Sequence, residues 1–142
     1  EVKFAYHAVS IDERRKDFPV TLWNQRNLSP GQVMEQVWFA GVHSNVGGWY
    51  DNRDLSSITL AWMMKKAKAA GMKIDQNRLT EITAQQKPTG KIHESYSGFW
   101  KIRRQAVRKI PARSNIHRSV ITRMDSVAKY QPTLPRNHEV VD

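Results

Sequence analysis

The chain has 142 residues, with 23 Lys and Arg against 13 Asp and Glu, for a formal net charge of +10. That length suits about one domain with a modest core. The absence of cysteine removes disulfides, thiol catalysis and cysteine-ligated zinc together, and fits a cytoplasmic origin. No run approaches the roughly 20 apolar residues of a membrane span, and no signal peptide opens the chain. The first residues, EVKFAYHAV, lack an initiator methionine and begin inside an amphipathic pattern. The sequence therefore reads as a piece cut from something longer.

Val2, Ala5, Tyr6, Val9 and Ser10 fall on one helical face, and the spacing predicts a helix over residues 2–15. FPVTLW then runs extended around Pro19, and NQRNLSPGQ is a polar loop with a Pro-Gly turn. Residues 33–40, VMEQVWFA, are the best strand candidate, because their apolar end suits a strand buried on both faces. Asp54 is placed to cap a helix from Leu55 to Ala70, which Gly71 ends, with Lys65, Lys66 and Lys68 near its negative terminus. Leu55, Ile58, Ala61, Trp62 and the Met63-Met64 pair give that helix a wide apolar face. Asp75 caps a second short helix, with Ile74 and Leu79 at the spacing of a hydrophobic staple.

Residues 85–95 turn polar, and SGFWKI is either a short strand or the start of an irregular arm. Ile116, Val120, Met124 and Val127 repeat at helical spacing and predict a last helix over 115–129. Residues 131–142 carry two prolines and read as an extended tail. The positive charge concentrates late: no acid occurs from Ser95 to Met124, while Lys101, Arg103, Arg104, Arg108, Lys109, Arg113, Arg118 and Arg123 are all basic. Such a stretch is most simply a solvated basic face, and it could also draw anionic lipid, nucleic acid or an acidic protein domain. Tyr96, Phe99 and Trp100 interleave with it, but no nucleic-acid-binding motif accompanies them, which argues against nucleic acid.

Residues 37–50, VWFAGVHSNVGGWY, carry the chemistry. A strand-like run ends on Gly41 and delivers His43 into a loop with Ser44, Asn45, Gly47 and Gly48. Imidazole, with an ordinary pKa of ~6.5, accepts and returns a proton near neutrality. A lone loop histidine is usually only solvated, so the local pattern leaves both readings open. His7 on the apolar face reads as a core histidine. His93, His117 and His138 have no metal-ligand spacing, so no metal site or cofactor is expected.

The wording of four blocks goes further. FAGVHSNVGGWY followed by LSSITLAWMMKKA, preceded by YHAVSIDERRKDFPVTLW and followed by IHRSVITRM and YQPTLP, resembles an uncharacterised α/β-hydrolase-domain family. That family includes type VI secretion phospholipase effectors. The resemblance implies an α/β class, specifically the C-terminal part of an α/β-hydrolase fold: last strand, histidine loop and following helices. It places His43 on the triad histidine and Gly41, Gly47 and Gly48 on the loop glycines. Asn45 stands where the family has aspartate, and Trp49 where it has a third glycine, large enough to narrow the pocket. The family's GFSRGA-type serine elbow and its acid in a G-x-WDTV-like segment have no counterpart here. The second ring nitrogen of His43 is therefore expected to face water, Asn45 or Asp51. Ser44, adjacent to His43, is expected to point away from it.

The resemblance thus implies part of a bacterial serine esterase or phospholipase-like lipase, cytoplasmic or secreted as an effector and inactive alone. Its parent acts on an ester or phospholipid, and the segment depends on a missing N-terminal portion or a partner chain. The alternative is a non-catalytic basic module for an anionic membrane surface, nucleic acid or a protein.

Overall fold

In the computed structural model, which describes residues 2–24 and 27–142, four strands form one all-parallel sheet in chain order. They are β1 (Phe4–Ser10), β2 (Val33–Phe39), β3 (Asn115–His117) and β4 (Glu139–Val141). Between β2 and β3 lie α1 (His43–Gly47), α2 (Ser56–Ala69), α3 (Gln76–Ala84) and a 3-10 turn over Gly98–Ile102; α4 (Arg118–Ser126) joins β3 to β4. This is an α/β protein.

β2 is the strand expected from sequence, and its apolar end explains the layering. Trp38 and Ala40 face one side, where Val9, Ile11, Ile116 and Val120 complete a buried cluster. Val37 and Phe39 face the other, against Val46, Leu55, Ile58 and Trp62. The alternation of side chains along a strand puts successive residues in opposite clusters, so β2 has no polar face.

The helix expected over 2–15 is instead β1. Phe4, Tyr6, His7 and Val9 suit a strand, and pairing with β2 from Phe4↔Val33 to Ser10↔Phe39 decides the matter. Helical spacing in nine residues cannot be separated from alternation when both patterns hold apolar side chains. The helix expected over 115–129 loses its first turn in the same way: Asn115–His117 pair with β2 and β4, and α4 begins at Arg118. Two strands therefore follow the histidine segment, so β2 is not the last strand. The tail over 131–142 ends as the edge strand β4.

α2 begins at Ser56 and has no side-chain cap. Asp54 instead accepts from the Asn52 amide and sits 3.6 Å from the Lys87 ammonium. Gly71 does end α2: with φ +98°, it donates to Lys68 O while Met72 N donates to Ala67 O, a Schellman closure. Asp75 caps α3 through Asn77 N and Arg78 N, and Leu79 and Ile74 pack in one cluster as the staple requires. SGFWKI forms the 3-10 turn within an irregular arm. In the polar loop over 24–32, Gln25 and Arg26 lie outside the described residues; Gln32 N donates to Ser29 O across Pro30-Gly31, with Gly31 at φ +79°.

α4 takes its cap from an imidazole. His117 Nδ1 accepts from Ser119 N at 3.2 Å, and the ring stacks on Phe39. Burial lowers the His117 pKa from 6.5 to about 4, against an opposing pull from Asp142. A depressed histidine pKa means the fold prefers the neutral ring, so its stabilisation is complete above pH 6.5 and is lost as pH falls towards 4. His117→Asn, which caps without titrating, is expected to flatten the fall in thermal midpoint across that window, measured by circular dichroism at stepped pH.

Candidate active site

The register of β1 and β2 assembles the site. Each β1 residue faces the β2 residue 29 positions later. Pairing continues past the strand ends through Ile11 N to Phe39 O and Asp12 N to Gly41 O. Parallel strands end on the same side of a sheet, so the segment Asp12–Arg15 leaves β1 level with Gly41–His43 leaving β2. Chemistry in open α/β sheets gathers at this C-terminal edge.

There, His43 Nδ1 lies 2.5 Å from Glu13 Oε2. The Glu13 side chain is wholly buried, and the His43 side chain is 41% exposed. Glu13 has a full set of donors. Arg15 Nε and the Arg15 backbone N–H donate to Oε1 at 2.9 and 3.1 Å, Arg15 Nη2 donates to Oε2 at 3.1 Å, and Ser95 Oγ donates to Oε1 at 2.9 Å. Burial pushes the carboxyl pKa up, but these bonds and the His43 contact outweigh it and hold the pKa at about 2 instead of 4.5. Glu13 is therefore an acceptor-only carboxylate, which assigns the Nδ1 proton to His43 donating towards it. Arg15 Nη2 also stands 3.1 Å from Nδ1. Two donors cannot bond each other, so that guanidinium serves Glu13 and only neighbours the ring.

With Nδ1 carrying the proton, Nε2 is left as the basic nitrogen. Ser44 Oγ lies 3.0 Å from it. The two neighbours meet instead of pointing apart, because His43 and Ser44 open the helix α1, where a free loop had been expected. Phe18 stacks on the imidazole at 5.0 Å between ring centroids and fixes its plane. His43 borders a cleft of about 410 Å³ that runs along His7–Ser10 and includes Pro19, Thr21 and Arg108. A second opening of about 320 Å³ is lined by His43, Ser44, Gly47 and Trp49. Arg108 donates to Ser10 O and to Phe18 O, closing the end of β1 beside the histidine.

The remaining loop residues divide by role. Gly41 has φ +111°, and a Cβ there would come within 2.6 Å of Asn45 Cβ, so glycine is required. Gly48 has φ +83° and ends α1 by donating to Ser44 O. Gly47 is helical, with open space where a Cβ would stand, so only one of the glycine pair needs a positive φ. Asn45 does not reach His43. Its Oδ1 accepts from Val42 N and His93 N, and its Nδ2 donates to Lys91 O. An asparagine can do both, whereas the carboxylate of an aspartate could only accept. Trp49 is 85% exposed and leaves the cleft open. Asp51 is also exposed and is not the partner of Nδ1.

Glu13, within the IDERR string, and the buried brace behind it are not apparent from the sequence. Asp12 Oδ2 accepts from Gly41 N at 2.6 Å and from the Tyr130 hydroxyl at 3.0 Å. Burial raises the pKa of Asp12 despite these bonds, and burial beside Asp12 pushes Tyr130 up as well. Two adjacent parallel strands, one followed by an acid and the other by a histidine, were the available signal. It needed β1 to be read as a strand.

The fold and these contacts define an α/β protein with a buried carboxylate paired to a part-exposed imidazole at the edge of a parallel sheet. Residues 1–66 match the family model described as T6SS, Phospholipase effector Tle1-like, catalytic domain. The match covers 66 of 142 residues and takes in β1, Glu13, β2, α1 and most of α2. Over those residues the chain is similar to the catalytic domain of type VI secretion phospholipase effectors. Neither the curated proteins nor the solved structures give a match.

Glu13 carries a depressed pKa, so its stabilisation is complete above pH 4.5 and is lost as pH falls towards 2. The shift corresponds to about 3 kcal/mol. Glu13→Gln is expected to remove that acid step from pH-dependent denaturant unfolding while leaving the His117 step at higher pH. Arg15→Ala should be the more damaging change, by about 3–5 kcal/mol, because it strands a buried charge.

Proposed function

We propose that the chain supplies the general base, His43, and its orienting acid, Glu13, to a serine hydrolase of the α/β-hydrolase type acting on phospholipid acyl esters. The carrying observation is the 2.5 Å contact between His43 Nδ1 and the buried Glu13 carboxylate, with Nε2 turned to a hydroxyl and a cleft. The likeness of residues 1–66 to phospholipase effectors favours a lipid ester as substrate. On this reading the chain is the C-terminal part of such a domain, and the attacking serine comes from another segment of polypeptide.

In acylation, Nε2 takes the serine proton as the oxygen attacks the ester carbonyl. Glu13 holds the ring in the Nδ1–H tautomer and stabilises the imidazolium that forms. That imidazolium then gives its proton to the departing alcohol. Nε2 next takes a proton from water, whose oxygen attacks the acyl-enzyme, and the imidazolium returns that proton to the departing serine oxygen as the fatty acid is freed. Arg108, anchored at the end of β1, leaves a positive charge beside the cleft for an anionic headgroup. No metal enters the reaction in this scheme.

A second reading is favoured by one distance. Ser44 Oγ, 3.0 Å from Nε2, already stands where an attacking oxygen would be. A fluorophosphonate probe separates the two. We expect the chain alone to remain unlabelled and to hydrolyse activated esters no faster than free histidine does. A longer polypeptide carrying this segment should label at a serine elsewhere. In that polypeptide His43→Ala should remove most turnover, and Glu13→Gln should lower kcat by at least about a hundredfold. Labelling at Ser44, found by peptide mass spectrometry, would transfer the nucleophile to Ser44. Full activity in the His43→Ala form would end the general-base assignment.

A further inference from the structure

The large apolar side chains most open to solvent are not scattered. Among the described residues, Trp49 (85%), Ile102 (82%), Val107 (78%) and Phe99 (68%) are the most exposed of their kind. Trp49 shares a small opening with His43 and Ser44. The other three lie on the arm that follows Ser97, and that arm is fixed to the same site. Trp100 packs edge-on against Phe18, which stacks on His43, and Arg15 lies over both Phe18 and Trp100. The backbone of the arm is tied to the acid segment by Ala106 N to Arg14 O and Lys16 N to Arg104 O.

Single exposed apolar residues need no explanation, but three on one short arm, joined through Trp100 and Phe18 to the histidine whose opening Trp49 shares, mark an interaction face. The charge on this face selects the partner. Arg103 is paired with Asp17, whereas Lys101, Arg104 and Lys109 have no acidic partner among the described residues. No acid occurs between Ser95 and Met124. A nucleic-acid face needs base-stacking aromatics within a basic groove. Here the exposed aromatics Trp49 and Phe99 are joined by the branched aliphatics Ile102 and Val107 beside the cations, a mixture that suits a layer anionic at its surface and apolar just beneath.

We propose that Trp49 and the arm over residues 98–109 form an interfacial face that docks the chain on an anionic lipid bilayer, with the His43 opening turned to the lipid. The cations hold the headgroup layer while Trp49, Phe99, Ile102 and Val107 enter the acyl boundary. The inference rests on the hydrolase reading, because it assigns the bilayer as the place where that site meets its ester.

The test is co-sedimentation of the 142-residue chain with phosphatidylcholine vesicles, with or without a third of phosphatidylglycerol. Binding is expected only to the anionic vesicles and should weaken with added salt. F99S/I102S should bind roughly tenfold or more weakly, and K101Q/R104Q should lose a similar factor. Should the paired variants fail to fold, brominated lipid gives an independent readout. It should quench the wild-type tryptophan emission, and Trp49→Phe should lose part of that quenching. Co-sedimentation reads docking and the activated-ester assay reads hydrolysis, so a failure of one is distinguished from a failure of the other. Three results would overturn the docking face: no binding to anionic vesicles, binding that F99S/I102S leaves intact, or no quenching by brominated lipid. Equal binding to single-stranded RNA, untouched by F99S/I102S, would also overturn it and mark the arm as a general polyanion surface.

Discussion

The buried carboxylate of Glu13 is the constraint on which the site depends. Taking an ionised carboxylate out of water costs several kcal/mol even after relaxation. It is tolerated here because Arg15, Ser95 and His43 all direct hydrogen bonds to its two oxygens. Each partner is thereby fixed in turn. Arg15 is held over Phe18, Phe18 over His43, and Ser95 fixes the start of the arm. Without the charge, the imidazole has no preferred tautomer and the arm loses its inner tether.

The carboxylate is in turn placed by backbone geometry. A parallel pair in fixed register carries Asp12–Glu13 and Gly41–Val42 out of the sheet side by side. Asp12 then locks the turn, accepting from Gly41 N while Tyr130 reaches it from the segment after α4. Asn45 ties the other side of α1 to residues 91–93. The histidine is thus presented by a helix start braced from two directions. A pre-organised base of this kind needs such bracing, because small displacements from the reacting geometry are costly.

The electrostatics of the chain also have an order that its net charge of +10 conceals. Some of the basic residues serve buried purposes. Arg123 donates to Pro88 O and Gly90 O, and Arg15 neutralises Glu13. What remains unpaired on the arm lies beside exposed apolar side chains, where charge and greasy surface act together. Cations held by the interior and cations left for a partner look alike in a charge count.

Several features were legible from the residues alone. The apolar run of residues 33–40, the Gly71 stop, the Asp75 cap and the staple of Ile74 with Leu79 are short-range signals, each complete within a few neighbouring positions. The sequence also singled out His43, because a strand end and glycines surround it. Other features were settled by contacts between distant segments. β1 carries a pattern that suits helix or strand, and only pairing with β2 chooses between them. β3 is three residues long, too short for any periodicity, and exists because β2 and β4 flank it. The partner of His43 lies 30 positions away, on a segment whose charges look solvated when read along the chain. Sequence reports what each residue prefers over a few neighbours, whereas burial of a charge is a property of the three-dimensional neighbourhood. Tertiary structure alone could therefore turn one of the acids of DERR into the carboxylate that holds His43.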